Sequence, residues 1–83
     1  MQDKKPYNDK DERHGLWEVY HKNGNIRYKG EYVNGKRHRP WTWYYSNGNL
    51  RYKGEFKNAR QIGFWVFYKS TTTGHIKQKF YAK

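Results

Sequence analysis

Residues 13–36 read RHGLWEVYHKNGNIRYKGEYVNGK and residues 37–60 read RHRPWTWYYSNGNLRYKGEFKNAR, identical at 13 of 24 positions without a gap. A repeat of this period decides the architecture before any single residue does, because each copy is a small unit that buries its apolar face by stacking on its neighbours. A third, weaker copy spans 61–83 and keeps Trp65 and Tyr68 in phase. A two-residue insertion within 70–75 then sets Lys77 and Lys79 where Arg51 and Lys53 stood. The first 12 residues lie outside the pattern and hold four of the seven acids, Asp3, Asp9, Asp11 and Glu12. They read as a flexible charged tail preceding a repeat domain over 13–83.

Each copy carries the marks of a β-hairpin. Asn-Gly between alternating aromatic segments favours a type I′ turn, whose two central residues both need positive φ. Asn23-Gly24, Asn34-Gly35 and Asn47-Gly48 supply such turns. Asn58-Ala59 stands where the next is due, and alanine takes positive φ poorly, so a longer or different turn is expected there. The predicted fold is all-β: a single antiparallel meander of about six strands near 16–22, 26–33, 40–46, 50–57, 63–69 and 76–82, without a helix.

With Asn23-Gly24 at the centre of the first turn, Trp17 pairs with Gly30, Val19 with Tyr28, His21 with Ile26 and Tyr20 with Arg27. Copy two repeats this as Trp41 with Gly54, Trp43 with Tyr52, Tyr45 with Leu50 and Tyr44 with Arg51. Alternation then sorts the side chains. One face gathers Trp17, Trp41, Trp43, Tyr52, Trp65 and Phe67, with Ile76 and Phe80 from the last strand. The other carries Arg27, Lys29, Arg51, Lys53, Lys77 and Lys79 interleaved with Tyr20, Tyr44 and Tyr68. A glycine opposite Trp17 or Trp41 leaves an empty cross-strand position for the large ring. A meander is one layer and a domain normally needs two. Strong curling, or pairing of the aromatic face with a second copy or a partner, is expected to supply the other.

Leu, Ile, Val and Phe number only 12 of 83 residues at a net charge of +11, a combination that ordinarily indicates disorder. Four Trp, nine Tyr and four Phe supply the missing apolar surface. There is no cysteine, so neither a disulfide framework nor a thiol nucleophile is available. His14 and His38 fall at one repeat position beside Arg13 and Arg37, which marks them as part of the repeat. No catalytic constellation, phosphate loop or metal-ligand spacing occurs, so a non-enzymatic protein without cofactor or metal is expected. The absence of an apolar signal segment or an 18-residue apolar run leads to an expected cytoplasmic location.

The pattern G-x-W-x-x-Y-x-x-N-G-x-[IL]-x-x-x-G-x-[YF]-x-N-G-K, in residues 15–36 and again with substitutions in 39–60, resembles the MORN-repeat variant family. Its bacterial members include YwqK-like proteins labelled as antitoxins. The resemblance implies a β-repeat architecture and a protein-interaction, lipid-associated or toxin-neutralising role. Arg39 and Pro40 replace the usual glycine and its neighbour in copy two, and Ala59 replaces another glycine.

The body from residue 13 onward holds 15 bases and 3 acids. Such an imbalance points to an anionic partner: RNA, another nucleic acid or a nucleoprotein. Arg27, Lys29, Arg51, Lys53, Lys77 and Lys79 are the candidate phosphate contacts, and Tyr20, Tyr44 and Tyr68 the candidate base-stacking residues. Trp17, Trp41, Trp43, Tyr52, Trp65 and Phe67 form the candidate protein interface, with a homodimer as one outcome. Small size and charge also suit a phage anti-defence inhibitor of the anti-CRISPR type. The alternative is an antitoxin or interaction module that binds an acidic protein surface without touching nucleic acid. No amphipathic helix or lipidation signal favours a membrane.

Overall fold

A computed structural model describes residues 3–69 and 75–81. Six strands, β1 (Gly15–Tyr20), β2 (Ile26–Val33), β3 (Lys36–Tyr44), β4 (Leu50–Lys57), β5 (Arg60–Tyr68) and β6 (His75–Tyr81), form one antiparallel sheet in chain order. The meander expected from the repeats is the observed fold, with no helix among the described residues. Four predicted pairs are present: Trp17 with Gly30, Val19 with Tyr28, Trp41 with Gly54 and Trp43 with Tyr52.

The sheet measures 41 × 36 × 10 Å, a single layer. Its second layer is made of its own rings. Trp41 and Trp65 are each 1% exposed although no strand or helix covers them. Trp41 lies flat on β2, its indole N–H donating to the Glu31 carbonyl at 3.1 Å, and a Cβ at Gly30 would fall inside its ring. Trp65 covers Gly54 on β4 in the same way. Each glycine is therefore vacated for the tryptophan of the following strand, whereas the register argument assigned the space to the tryptophan of the preceding one. Tyr32 then stands edge-on to Trp41 at 4.9 Å, and Phe56 edge-on to Trp65 at 5.1 Å, so each flat ring is walled by an upright one.

The turns divide into two kinds. Asn34-Gly35 has φ of 48° and 85°, the type I′ pattern. Asn58-Ala59, for which a different turn was expected, adopts the same conformation with φ of 50° and 69°. The reason lies in the stacking of repeats: Ala59 N–H donates to the Arg37 carbonyl at 3.0 Å, as Gly35 N–H does to the Arg13 carbonyl at 2.8 Å. The equivalent hydrogen bond holds alanine in a region that costs an L-residue about 1–2 kcal/mol. Ala59→Gly is accordingly expected to stabilise the fold by about 1 kcal/mol after glycine's greater unfolded-state entropy is subtracted. Thermal unfolding would register this as a rise of about 4–8 °C; an unchanged or lower midpoint would contradict it. Arg39 likewise keeps positive φ, 66°, at the repeat position of Gly15 and Gly63.

Asn23-Gly24 and Asn47-Gly48 do not form the expected type I′ turns, since only the glycines have positive φ, 94° and 93°. Gly24 N–H donates to the His21 carbonyl and His21 N–H to that of Asn25, which makes a three-residue loop ending in a glycine bulge. The Asn23 and Asn47 side chains accept from the N–H groups of Asn25 and Asn49, which fixes that alternative. Tyr20 consequently pairs with Ile26 and Tyr44 with Leu50, one residue out of the predicted register. The ladder recovers its expected pairs by skipping Arg27 and Arg51, which become bulge residues.

The third hairpin departs further. Tyr68 pairs with His75, one residue later than the spacing of Tyr44 and Leu50 would place its partner. A one-residue shift exchanges the faces of a whole strand. Lys79 therefore stands opposite Trp65 and Lys77 opposite Phe67, while Phe80 pairs with Phe64. This reverses the predicted faces of Lys79 and Phe80, while the side chain of Lys77 lies outside those described. The predicted insertion itself lies largely in 70–74, outside the described residues.

The described part, residues 3–12, of the segment 1–12 expected to be a flexible tail runs along the free edge of β1. Lys4 and Glu18 exchange backbone hydrogen bonds of 2.8 and 2.9 Å, and the Trp17 indole N–H donates to the Pro6 carbonyl at 2.9 Å. Tyr7 packs edge-on against Trp17 at 5.5 Å. The segment occupies the place beside Trp17 that β2 occupies beside Trp41.

Candidate functional site

The bulges and the last hairpin redistribute the cations. Arg51, released from the ladder, places its guanidinium 5.5 Å from the Tyr45 ring and 5.8 Å from the Tyr52 ring, on the aromatic face. Arg27 opens onto the same face, lining a hollow with Val19, Tyr28, Trp43 and Arg51. Lys79 lies 5.0 Å above Tyr81, a ring packed against the core. Lys29 and Lys53 remain on the opposite face, beside Thr42, where alternation put them. The predicted phosphate contacts with described side chains, Arg27, Lys29, Arg51, Lys53 and Lys79, thus do not form one ladder.

Two further cations join the aromatic face. Arg13 sits 5.4 Å over Trp17 and 5.5 Å over Tyr32; Arg37 sits 5.7 Å over Trp41 and 5.4 Å over Phe56. Attraction to Tyr32, then a hydrogen bond to it, pushes the Arg13 guanidinium above its ordinary value. The sequence signal for both was their shared repeat position four residues before Trp17 and Trp41. All five side chains, Arg13, Arg27, Arg37, Arg51 and Lys79, are exposed. The three acids of the strands, Glu18, Glu31 and Glu55, line hollows of the other face with Lys29 and Lys53. Charge is therefore segregated, with cations over rings on one side and mixed signs on the other.

Between the cations runs a row of half-buried rings, Tyr28, Trp43, Tyr52 and Phe67, paired directly across β2 to β5. Trp43 and Tyr52 stack on each other at 4.5 Å and 21°, and Tyr52 and Phe67 meet at 5.6 Å and 33°. Rings that face one another present their edges outward, and those edges carry the positive end of the ring quadrupole. An oxygen-rich anion meets a favourable surface there, whereas a base finds the inner ring faces already occupied. Of the six predicted interface rings, Trp17, Trp41 and Trp65 are buried in the chain's own core, leaving Trp43, Tyr52 and Phe67 accessible. Tyr20, Tyr44 and Tyr68, predicted to stack on bases, are half-buried, and none has an arginine as its cross-strand partner.

The spacing of flat tryptophan, Asn-Gly turn and vacated glycine agrees with a known repeat: the profile of the MORN repeat variant matches residues 13–34 and 38–58. The chain belongs to the MORN repeat variant family. No curated protein and no solved structure matches it. MORN repeats suggest a binding or interaction module, and in this MORN sheet the exposed cations over rings and the strand acids lie on opposite sides. Among the described residues no group of three or more His, Cys, Asp or Glu is placed to hold a metal ion. No described helix is long and apolar enough to cross a membrane.

Proposed function

We propose that this MORN sheet is a non-enzymatic cytoplasmic module that grips the sugar-phosphate backbone of RNA, bare or within a nucleoprotein, on its aromatic face. The observation that carries the reading is the separation of five exposed cations from every acid of the strands. Backbone contact follows from the ring edges turned outward, with base stacking secondary. A chain of this size and charge acting on a nucleoprotein would work as an inhibitor of the anti-CRISPR type.

Five phosphate contacts correspond to a salt slope of about −3.5 to −4.5 in log affinity against log salt concentration. Fluorescence anisotropy with a labelled RNA measures it directly. Arg13→Gln, Arg37→Gln and Arg51→Gln should each reduce the slope by about 0.7–0.9. Lys29→Gln and Lys53→Gln, on the opposite face, should leave it almost unchanged. No binding at low salt, or a slope governed by Lys29 and Lys53, would overturn the reading.

A second reading, a protein-binding antitoxin or interaction module, is favoured by one observation on the other face. Leu16 and Phe64, at the same repeat position, are 54% and 61% exposed, and Phe80 beside Phe64 is 56% exposed. An apolar row bordered by mixed charges suits a protein surface. Ribonuclease treatment of a captured complex separates the two: loss of the partner supports RNA, and retention supports protein.

A further inference from the structure

The two bulge arginines do more than add charge to the face. Arg27 and Arg51 occupy equivalent repeat positions, and both line the hollow between the first two repeats, together with Lys5 delivered by the N-terminal segment. Val19, His21, Tyr28, Trp43 and Tyr44 form the rest of its wall, with no Asp or Glu among its lining residues. His21 is fixed there by a 3.0 Å contact between its Nε2 and the Tyr44 carbonyl. Lys5 has one acidic neighbour, Asp3, at 3.5 Å. The Arg27 side chain forms no hydrogen bond or ion pair among the described residues, and Arg51 only overlies rings. Other hollows hold fewer cations: the one between Trp43, Phe56 and Trp65 has Arg37 alone, and the one at the turn between β4 and β5 has Lys57 and Arg60.

Two guanidiniums without an acidic partner, joined on one concavity by an ammonium that shares Asp3, suit a ligand with more than one negative charge in a small volume. A phosphate diester within a chain carries one charge, and a phosphate monoester carries close to two at neutral pH. We propose that this hollow is a phosphate-monoester site, and that within the RNA-binding reading, on which this rests, it seats the terminal phosphate of a strand. The guanidinium forks of Arg27 and Arg51 can each hold two phosphate oxygens, and Lys5 adds a point charge. The bulge is the device that makes this possible, since in an unbroken ladder both arginines would point to the other face.

The test compares one single-stranded RNA sequence bearing a phosphate at its 5′ end, at its 3′ end or at neither, with uridine monophosphate as the free-nucleotide arm. At low salt a terminally phosphorylated RNA is expected to bind roughly 3- to 10-fold tighter than the unphosphorylated strand. Arg27→Gln, which removes no hydrogen bond or ion pair of the described residues, and Arg51→Gln should each diminish that advantage while the unphosphorylated strand still binds. Equal affinity for all three RNAs would overturn the site and leave the broader reading standing. An advantage that survives both substitutions would also overturn it. Binding of uridine monophosphate, lost in Arg27→Gln, without binding of any RNA would support the site and remove the nucleic-acid reading.

Discussion

Alanine at Gly54 is expected to destabilise the fold by about 3 kcal/mol or more, the upper range for forcing atoms into a packed site. The added Cβ would enter the six-membered ring of Trp65, which is 1% exposed and cannot tilt away without disturbing Phe56 and Trp43. Gly30→Ala should cost a similar amount through Trp41. Lys79→Ala supplies the contrast: residue 79 faces Trp65 across β5 and β6 as Gly54 faces Trp41, but its exposed side chain leaves the flat indole untouched. It should change stability by no more than about 0.5 kcal/mol. Urea denaturation followed by far-ultraviolet circular dichroism measures all three. A double substitution, Gly54→Ala with Trp65→Leu, should show a coupling of at least about 1 kcal/mol, because removing the ring removes the clash. Gly54→Ala within about 1 kcal/mol of the parent would show that the indole does not depend on that space.

The same glycines show where sequence reasoning succeeds and where it stops. Periodicity placed Trp17, Trp41 and Trp65 on one face and paired the first two with Gly30 and Gly54, because a repeat constrains strand count and parity together. It could not tell which neighbouring tryptophan would lie over each glycine, since cross-strand pairing is a relation between backbones and an indole reaches to the next strand. The face of Arg27 and Arg51 was illegible for a related reason. Asn23-Gly24 is compatible with two turns, and only the Asn23 hydrogen bond to Asn25 selects the one that expels Arg27 from the ladder. A single extra residue in the last hairpin likewise moved Lys79 across the sheet. The net basic charge survived these errors, and its location did not. Of the cations predicted opposite the rings, Arg27, Arg51 and Lys79 lie on the aromatic face, whereas Lys29 and Lys53 keep the other.

The N-terminal segment has the composition of an unstructured tail, and it meets β1 through a few backbone and ring contacts rather than an apolar run. Removal of residues 1–12 is expected to cost about 3–5 kcal/mol, comparable to losing a buried tryptophan, because Trp17 is only 4% exposed with the segment in place. Trp41 and Trp65 lie over neighbouring strands, whereas Trp17 is met on that side by Pro6 and Tyr7. The loss would also uncover the edge of β1, whose Glu18 N–H and carbonyl both bond to Lys4. The truncated chain should melt at a lower temperature and its tryptophan emission should shift to longer wavelength. Trp17→Phe isolates the cause: in that background truncation should still lower stability but produce much less spectral change. Pro6→Ala keeps the carbonyl that Trp17 uses and should cost less than the deletion, whereas Tyr7→Ala removes the ring wall and should cost about 1 kcal/mol. If the truncated chain unfolds within about 1 kcal/mol of the full one, Trp17 is covered by the sheet itself and the segment is dispensable.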